Sequence, residues 1–124
     1  MNSFSILPFA ALALLAASAF SYAEAPQVQG GVLTDPAGMT LYVFDKDVAG
    51  SGKSACNGDC AKNWPPLAAS AADQASGGFT VITRDDGSMQ WAYQGKPLYR
   101  WSKDQKPGDT TGDGFKNMWR VGRP

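Results

Sequence analysis

Gly38-Met39-Thr40-Leu41-Tyr42-Val43-Phe44-Asp45-Lys46-Asp47 is matched, 57 residues later and without a gap, by Gly95-Lys96-Pro97-Leu98-Tyr99-Arg100-Trp101-Ser102-Lys103-Asp104. Both read G-x-x-L-Y-x-[FW]-x-K-D, and a tryptophan follows each copy, Trp64 and Trp119. Two copies of one supersecondary unit are too few for a solenoid. They point to two halves that share one core about a pseudo-twofold axis.

The spacing inside the unit reads as a strand. Side chains at i and i+2 share a face, so Tyr42 lies with Phe44, and Tyr99 with Trp101. Leu41 and Val43 take the opposite face, as do Leu98 and the charged Arg100. Asp47 and Asp104 fall three residues after the second aromatic, where the strand should end. A short carboxylate there accepts backbone N–H bonds and fixes a turn. It can also accept a tyrosine hydroxyl from its own or the other repeat, because a buried tyrosine O–H needs a partner. That architectural reading of Tyr42, Asp47, Tyr99 and Asp104 is preferred to a direct ligand role.

Outward from the repeat the chain continues as short β segments between turns. Residues 32–34, 40–44, 80–83, 89–93, 98–101 and 119–121 read as strands. Asp35-Pro36-Ala37-Gly38, Asp85-Asp86-Gly87-Ser88 and Gln94-Gly95-Lys96-Pro97 separate them as turns. Helical signal is scarce: one turn over residues 60–64, with Asp59 as its cap and Pro65-Pro66 as its stop, and a stretch over 68–76 that reads as a further turn or two or as a loop. The fold expected is all-β: a small compact domain of short antiparallel strands built from two related repeats, about 31–67 and 79–121, with little helix.

Composition narrows the chemistry. The 124 residues carry 11 Lys+Arg and 11 Asp+Glu, so no basic excess exists to follow a nucleic-acid backbone. The absence of histidine removes Ser-His-Asp and Cys-His catalysis and every imidazole metal site. Serines lie in no G-x-S-x-G context, and no pair of carboxylates is marked out for glycoside hydrolysis. A non-enzymatic protein without a cofactor is the reading that remains.

Residues 1–23 carry no charge, and residues 6–20 form an apolar run, ILPFAALALLAASAF, shorter than a bilayer span. Ser21-Tyr22-Ala23 supplies the small residues of a cleavage site, so residues 1–23 read as a signal peptide cut after Ala23. No cysteine lies near the cut, so no lipid anchor and no stable membrane insertion are expected of the mature form. Residues 24–30 then form a short tail, and 31–124 a single β-rich domain, in the periplasm or secreted.

Cys56-Asn57-Gly58-Asp59-Cys60 holds both cysteines. In an oxidising compartment a Cys56–Cys60 disulfide is expected, with Asn57-Gly58 as the turn. A redox-active or metal-bound thiolate has no cationic neighbour to support it. Asp104, Asp109 and Asp113 lie in an Asp- and Gly-rich loop that could wrap a hard, calcium-like cation. It lacks EF-hand spacing, and Asx turns explain the same composition. Trp91, Tyr93, Trp101 and Trp119 could form an exposed aromatic platform, although aromatics at period two in a small domain are more often core.

The paired Y-x-[FW]-x-x-D motifs, Tyr42/Phe44/Asp47 and Tyr99/Trp101/Asp104, resemble the signature of a bacterial family of secreted proteins and predicted lipoproteins, the secreted repeat with the Yx(FWY)xxD motif. Cys56-x-x-x-Cys60-Ala61-x-x-Trp64-Pro65-Pro66-Leu67, Gly95-x-Pro97-Leu98-Tyr99 and Pro107-Gly108-Asp109-x-x-Gly112-x-Gly114 are similar to its pattern as well. The resemblance spans residues 31–121. It implies export and no established activity, with a loose link to alkane catabolism. The expected partner is an unidentified ligand or envelope protein, and the expected role that of an accessory module.

Overall fold

Residues 25–124 are described by the computed structural model of the chain; the expected signal peptide over 1–23 and its cut after Ala23 lie outside them. The elements in order are β1 (Gln27–Gln29), β2 (Val32–Thr34), β3 (Tyr42–Phe44), α1 (Asp59–Asn63), β4 (Phe79–Thr83), β5 (Met89–Tyr93), β6 (Lys96–Pro97), a 3-10 turn (Phe115–Asn117) and β7 (Trp119–Val121). All strand pairing is antiparallel: β1 with β2, β3 with β7, and β4-β5-β6 in one sheet. The architecture is all-β with very little helix.

Three local outcomes differ from the sequence expectation. The tail expected over 24–30 contains a strand, β1, because Gly30 and Gly31 both take positive φ and turn the chain back onto β2. Helix α1 starts at Asp59 itself, with Gly58 (φ 59°) as its cap and no side-chain capping bond. The expected strand over 98–101 forms alternating single bonds to different neighbours rather than one ladder. Leu98 N–H donates to Trp91, Tyr99 to Tyr42, and Arg100 to Pro65.

That alternation exposes the symmetry. Tyr42 and Tyr99 exchange both backbone bonds, Tyr42 N–H to Tyr99 C=O at 2.7 Å and the reverse at 3.0 Å. Such a directly opposed antiparallel pair has a local twofold axis through its centre. Around it the outer strands are traded between repeats. β3 of the first copy pairs with β7 of the second, Tyr42 opposite Val121. Tyr99 of the second copy bridges Pro66 of the first. Related bonds follow the same rule: Asp45 N–H to Met118 C=O and Ser102 N–H to Asn63 C=O; Gly122 N–H to Leu41 C=O and Leu67 N–H to Leu98 C=O.

Each face of this central layer has its own core. Leu33, Leu41, Leu67, Trp91 and Leu98 pack on one side. On the other lie Tyr42, Phe44, Cys56, Trp64, Tyr99, Trp101, Trp119 and Val121. The aromatics form a continuous stack in the order Phe44, Trp119, Trp64, Trp101. Their centroid separations are 4.2, 3.8 and 4.0 Å. Trp64 and Trp119, the two tryptophans that follow the motifs, meet at its centre. Tyr42 sits edge-on to Trp64 at 5.3 Å, and Tyr99 edge-on to Trp119 at 5.1 Å. Gly112 closes over the stack. A Cβ there would lie 2.7 Å from Trp64 and 2.9 Å from Trp101, so no larger residue fits without displacing the rings.

Candidate functional site

The motif tyrosines and aspartates meet across the repeats. Tyr42 O–H donates to Asp104 Oδ2 at 2.6 Å, and Tyr99 O–H to Asp47 Oδ2 at 2.6 Å. Each β strand presents its tyrosine to the turn that ends the other copy. Both tyrosine rings are fully buried.

The remaining carboxylate oxygens are also engaged. Asp104 Oδ1 accepts Thr111 N–H at 3.0 Å and Thr111 Oγ1–H at 2.6 Å, while Gly112 N–H donates to Tyr42 Oη at 3.2 Å. Asp47 Oδ1 accepts Ala55 N–H at 2.6 Å. Ser54 Oγ lies 2.6 Å from Tyr99 Oη. With the tyrosine proton directed to Asp47, the serine hydroxyl is the donor of that contact. Ser54 and Thr111 stand 57 residues apart, the motif offset itself, so extending the repeat by seven residues would have revealed both.

A buried cation, Arg84, comes from the second repeat and serves the Tyr99–Asp47 pair alone among the described residues. Its Nη1 donates to Ser54 Oγ at 3.0 Å and Gln90 Oε1 at 2.7 Å; its Nη2 donates to Cys56 C=O at 2.6 Å and Asn57 Oδ1 at 3.2 Å. Gln90 in turn donates to Leu98 C=O at 2.8 Å. The Cys56–Cys60 disulfide fixes the turn that offers those acceptors. No local sequence signal marks Arg84, since its partners lie up to 30 residues away. Likewise Arg100 Nε donates to buried Asp35 at 2.8 Å, which accounts for a cation on the leucine side of the repeat.

These surroundings set the proton affinities. Burial first, then the bond to Asp104, raises the Tyr42 phenol well above its ordinary range. Burial and the bond to Asp47 do the same for Tyr99. Burial lifts the Asp47 carboxyl above the usual range against the opposing pull of Tyr99, Ala55 and Arg84. The two phenols therefore hold their protons well past neutrality.

The other candidates separate. Trp91, Trp101 and Trp119 are only 5%, 8% and 2% exposed, and Tyr93 is half-buried, so they make core and no exposed platform. The reason is the packing: Trp119 lies between Phe44 and Trp64 in the central stack, Trp101 ends that stack against Trp64, and Trp91 sits in the leucine-lined core. Asp109 Oδ2 accepts Gln105 and Lys106 N–H, and Asp113 Oδ1 accepts Val121 N–H, each shaping its own turn. Among the described residues no cluster of three or more His, Cys, Asp or Glu is arranged to hold a metal ion.

Concave surface lies elsewhere. A cleft of about 630 Å3 opens between Ala25-Pro26 and the loop carrying Asp73, Gln74, Ser76 and Gly77, against Phe79 and Trp91. Trp91 Nε1–H is buried and has no hydrogen-bond partner among the described residues.

Two outcomes test the paired motif. Asp104→Asn leaves Tyr42 and Thr111 with an amide in place of two acceptor oxygens, and is expected to destabilise by about 1–3 kcal/mol in urea titration. Parent-like stability would rule out an architectural role. The raised tyrosines give the second. Above about pH 10 the unfolded chain ionises its tyrosines while folded Tyr42 and Tyr99 stay neutral, so the unfolded state has lost more protons. Their stabilising contribution is complete below that pH and falls as pH rises toward the raised folded values. Tyr99→Phe should flatten this alkaline loss, measured as the difference in unfolding free energy between about pH 8 and about pH 11.

No curated protein and no solved structure matches the chain. A family model described as a secreted repeat of unknown function matches residues 26–68 and again residues 80–121, one match for each half related by the Tyr42–Tyr99 axis. The two matches cover more than half of the sequence, and the chain belongs to this family of secreted repeats.

Proposed function

We propose that the protein is an exported, non-enzymatic binding module of the cell envelope, and that its ligand seats in the cleft beside Trp91. The observation that carries this is Trp91, which lines a large cleft and whose buried indole N–H has no hydrogen-bond partner among the described residues. A buried donor without a partner costs about 1–3 kcal/mol, and an acceptor brought in by a ligand recovers it. Concave sites with aromatic walls and a few polar groups are the usual seats of small ligands.

The lining also indicates the chemistry. Phe79 and Trp91 offer apolar wall, Gln74 and Ser76 offer polar groups, and Asp73 is the one charged residue lining the cleft among the described residues. No cation among the described residues lines it, which favours a neutral or positively charged ligand with a flat apolar part and a hydrogen-bond acceptor. The motif tyrosines and aspartates support the non-enzymatic reading, because their polar atoms are committed to one another. Membership of a secreted family supports export. Among the described residues no helix is long and apolar enough to cross a membrane.

Export is tested by intact mass of the protein from a periplasmic or medium fraction, expected to begin at Glu24. Recovery of residues 1–23 in a membrane fraction contradicts the proposed processing. The cleft is tested by NMR titration with N-acetylglucosamine, N-acetylleucinamide and cyclohexanone. At least one is expected to move the Trp91 indole N–H resonance, assigned by its loss in Trp91→Phe, and Phe79→Ala should weaken that response. An indole resonance unmoved by all three overturns the assignment of the cleft.

A further inference from the structure

A second recess, of about 220 Å3, lies where β3, β7 and the β5–β6 turn meet. Its apolar part comes from Leu33, Val43 and Val121, and three cations line it: Lys96, Arg120 and Arg123. No carboxylate among the described residues lines the recess. We infer that this recess is a binding site for a small organic anion, a carboxylate or phosphate monoester with a short apolar body. The inference is independent of the cleft beside Trp91.

The charge balance comes first. Asp45 neutralises Arg120 through Nε and Nη2, the latter at 2.8 Å. Lys96 and Arg123 are exposed, and no ion pair among the described residues engages either. Two cations without an ion-pair partner among the described residues therefore stand at one concavity, with Asp113 acting on Arg120 as a second carboxylate beside Asp45, in a chain whose formal net charge is zero. Low-dielectric walls focus such a field and raise the local concentration of anions.

Geometry adds orientation. The bond from Asp45 holds the Arg120 guanidinium in place, and no hydrogen bond engages its Nη1 among the described residues. A guanidinium fixed on one edge offers its other edge to a carboxylate or phosphate oxygen without first losing rotamer freedom. The β5–β6 turn places Lys96 at the rim, because Gln94 and Gly95 both adopt positive φ, 49° and 82°, and reverse the chain in two residues. Val43 and Arg120 are direct cross-strand partners, so apolar wall and cation are held side by side by the β3–β7 ladder.

Size limits the ligand. At about 30 Å3 per water, the recess holds the equivalent of about seven waters. That suits one charged group with a short apolar body and excludes a polymer chain. Concavity favours a free small anion over a flat anionic membrane, whose headgroups would meet the rim charges alone.

Calorimetric titration with benzoate and phenyl phosphate, beside neutral benzamide, inorganic phosphate and vesicles of phosphatidylglycerol in phosphatidylcholine, tests the assignment. Benzoate or phenyl phosphate should bind, with Val43 and Val121 amide resonances shifting. Lys96→Gln/Arg123→Gln should lose about tenfold or more in affinity, as expected when two charge-assisted contacts are removed. Both side chains are exposed, so the double variant should melt with the parent. Equal affinity of parent and variant overturns the inference. So does binding of benzamide as tight as benzoate, binding of vesicles alone, or inorganic phosphate binding as tightly as its phenyl ester.

Discussion

Two tyrosines facing each other across a backbone bridge are the constraint on which the rest depends. Tyr42 and Tyr99 exchange main-chain bonds at the pseudo-twofold axis, and each sends its hydroxyl to the aspartate of the opposite repeat. A buried phenol has no water to donate to, so the O–H must find an acceptor within reach of a rigid ring. Placing that acceptor at the end of the other repeat's strand makes neither half complete alone. Trading of the outer strands has the same effect: β3 finds its ladder partner in β7, which comes from the far end of the chain.

The aromatic stack follows from this crossing. Once the motif strands are antiparallel about the axis, Phe44 and Trp101 lie at opposite ends of one face, and Trp64 and Trp119 fill the space between them. Stacked and edge-on pairs each contribute about 0.5–1.5 kcal/mol beyond area burial, which suits a small domain with a limited core. Symmetry is broken where the surroundings differ. Arg84 and the disulfide-bonded turn lie beside Tyr99, while Thr111 and Gly112 take that place beside Tyr42. Ser54 and Thr111 hold equivalent places in the sequence with different roles: Thr111 binds the aspartate, and Ser54 binds the tyrosine.

With the symmetric polar residues occupied by one another, the surface open to ligands lies in what the repeats do not share. The cleft beside Trp91 uses residues 72–79, which lie between the two matched segments, 26–68 and 80–121. The basic recess depends on Lys96, Arg120 and Arg123, which sit at the edges of the shared strands. The two concavities differ in charge, one bordered by a single carboxylate and the other by three cations.

Sequence alone determined the repeat, its offset of 57, the faces of its strands and the all-β class, because strand period and turn chemistry are local properties. It also marked the tyrosines and aspartates as groups that need one another. Tertiary structure decided which aspartate each tyrosine reaches. The bonds Tyr42–Asp104 and Tyr99–Asp47 span 62 and 52 residues, and no local pattern distinguishes them from pairing within one copy. It decided the fate of the tryptophans too: the period-two spacing of Trp91 and Tyr93, and of Tyr99 and Trp101, is the same for a core and for an exposed platform, and only the packing of the fold buries Trp91 and Trp101. Arg84 and the Asp35–Arg100 pair were illegible for the same reason. A buried charge is set by partners that the chain brings together only when the two repeats close on each other.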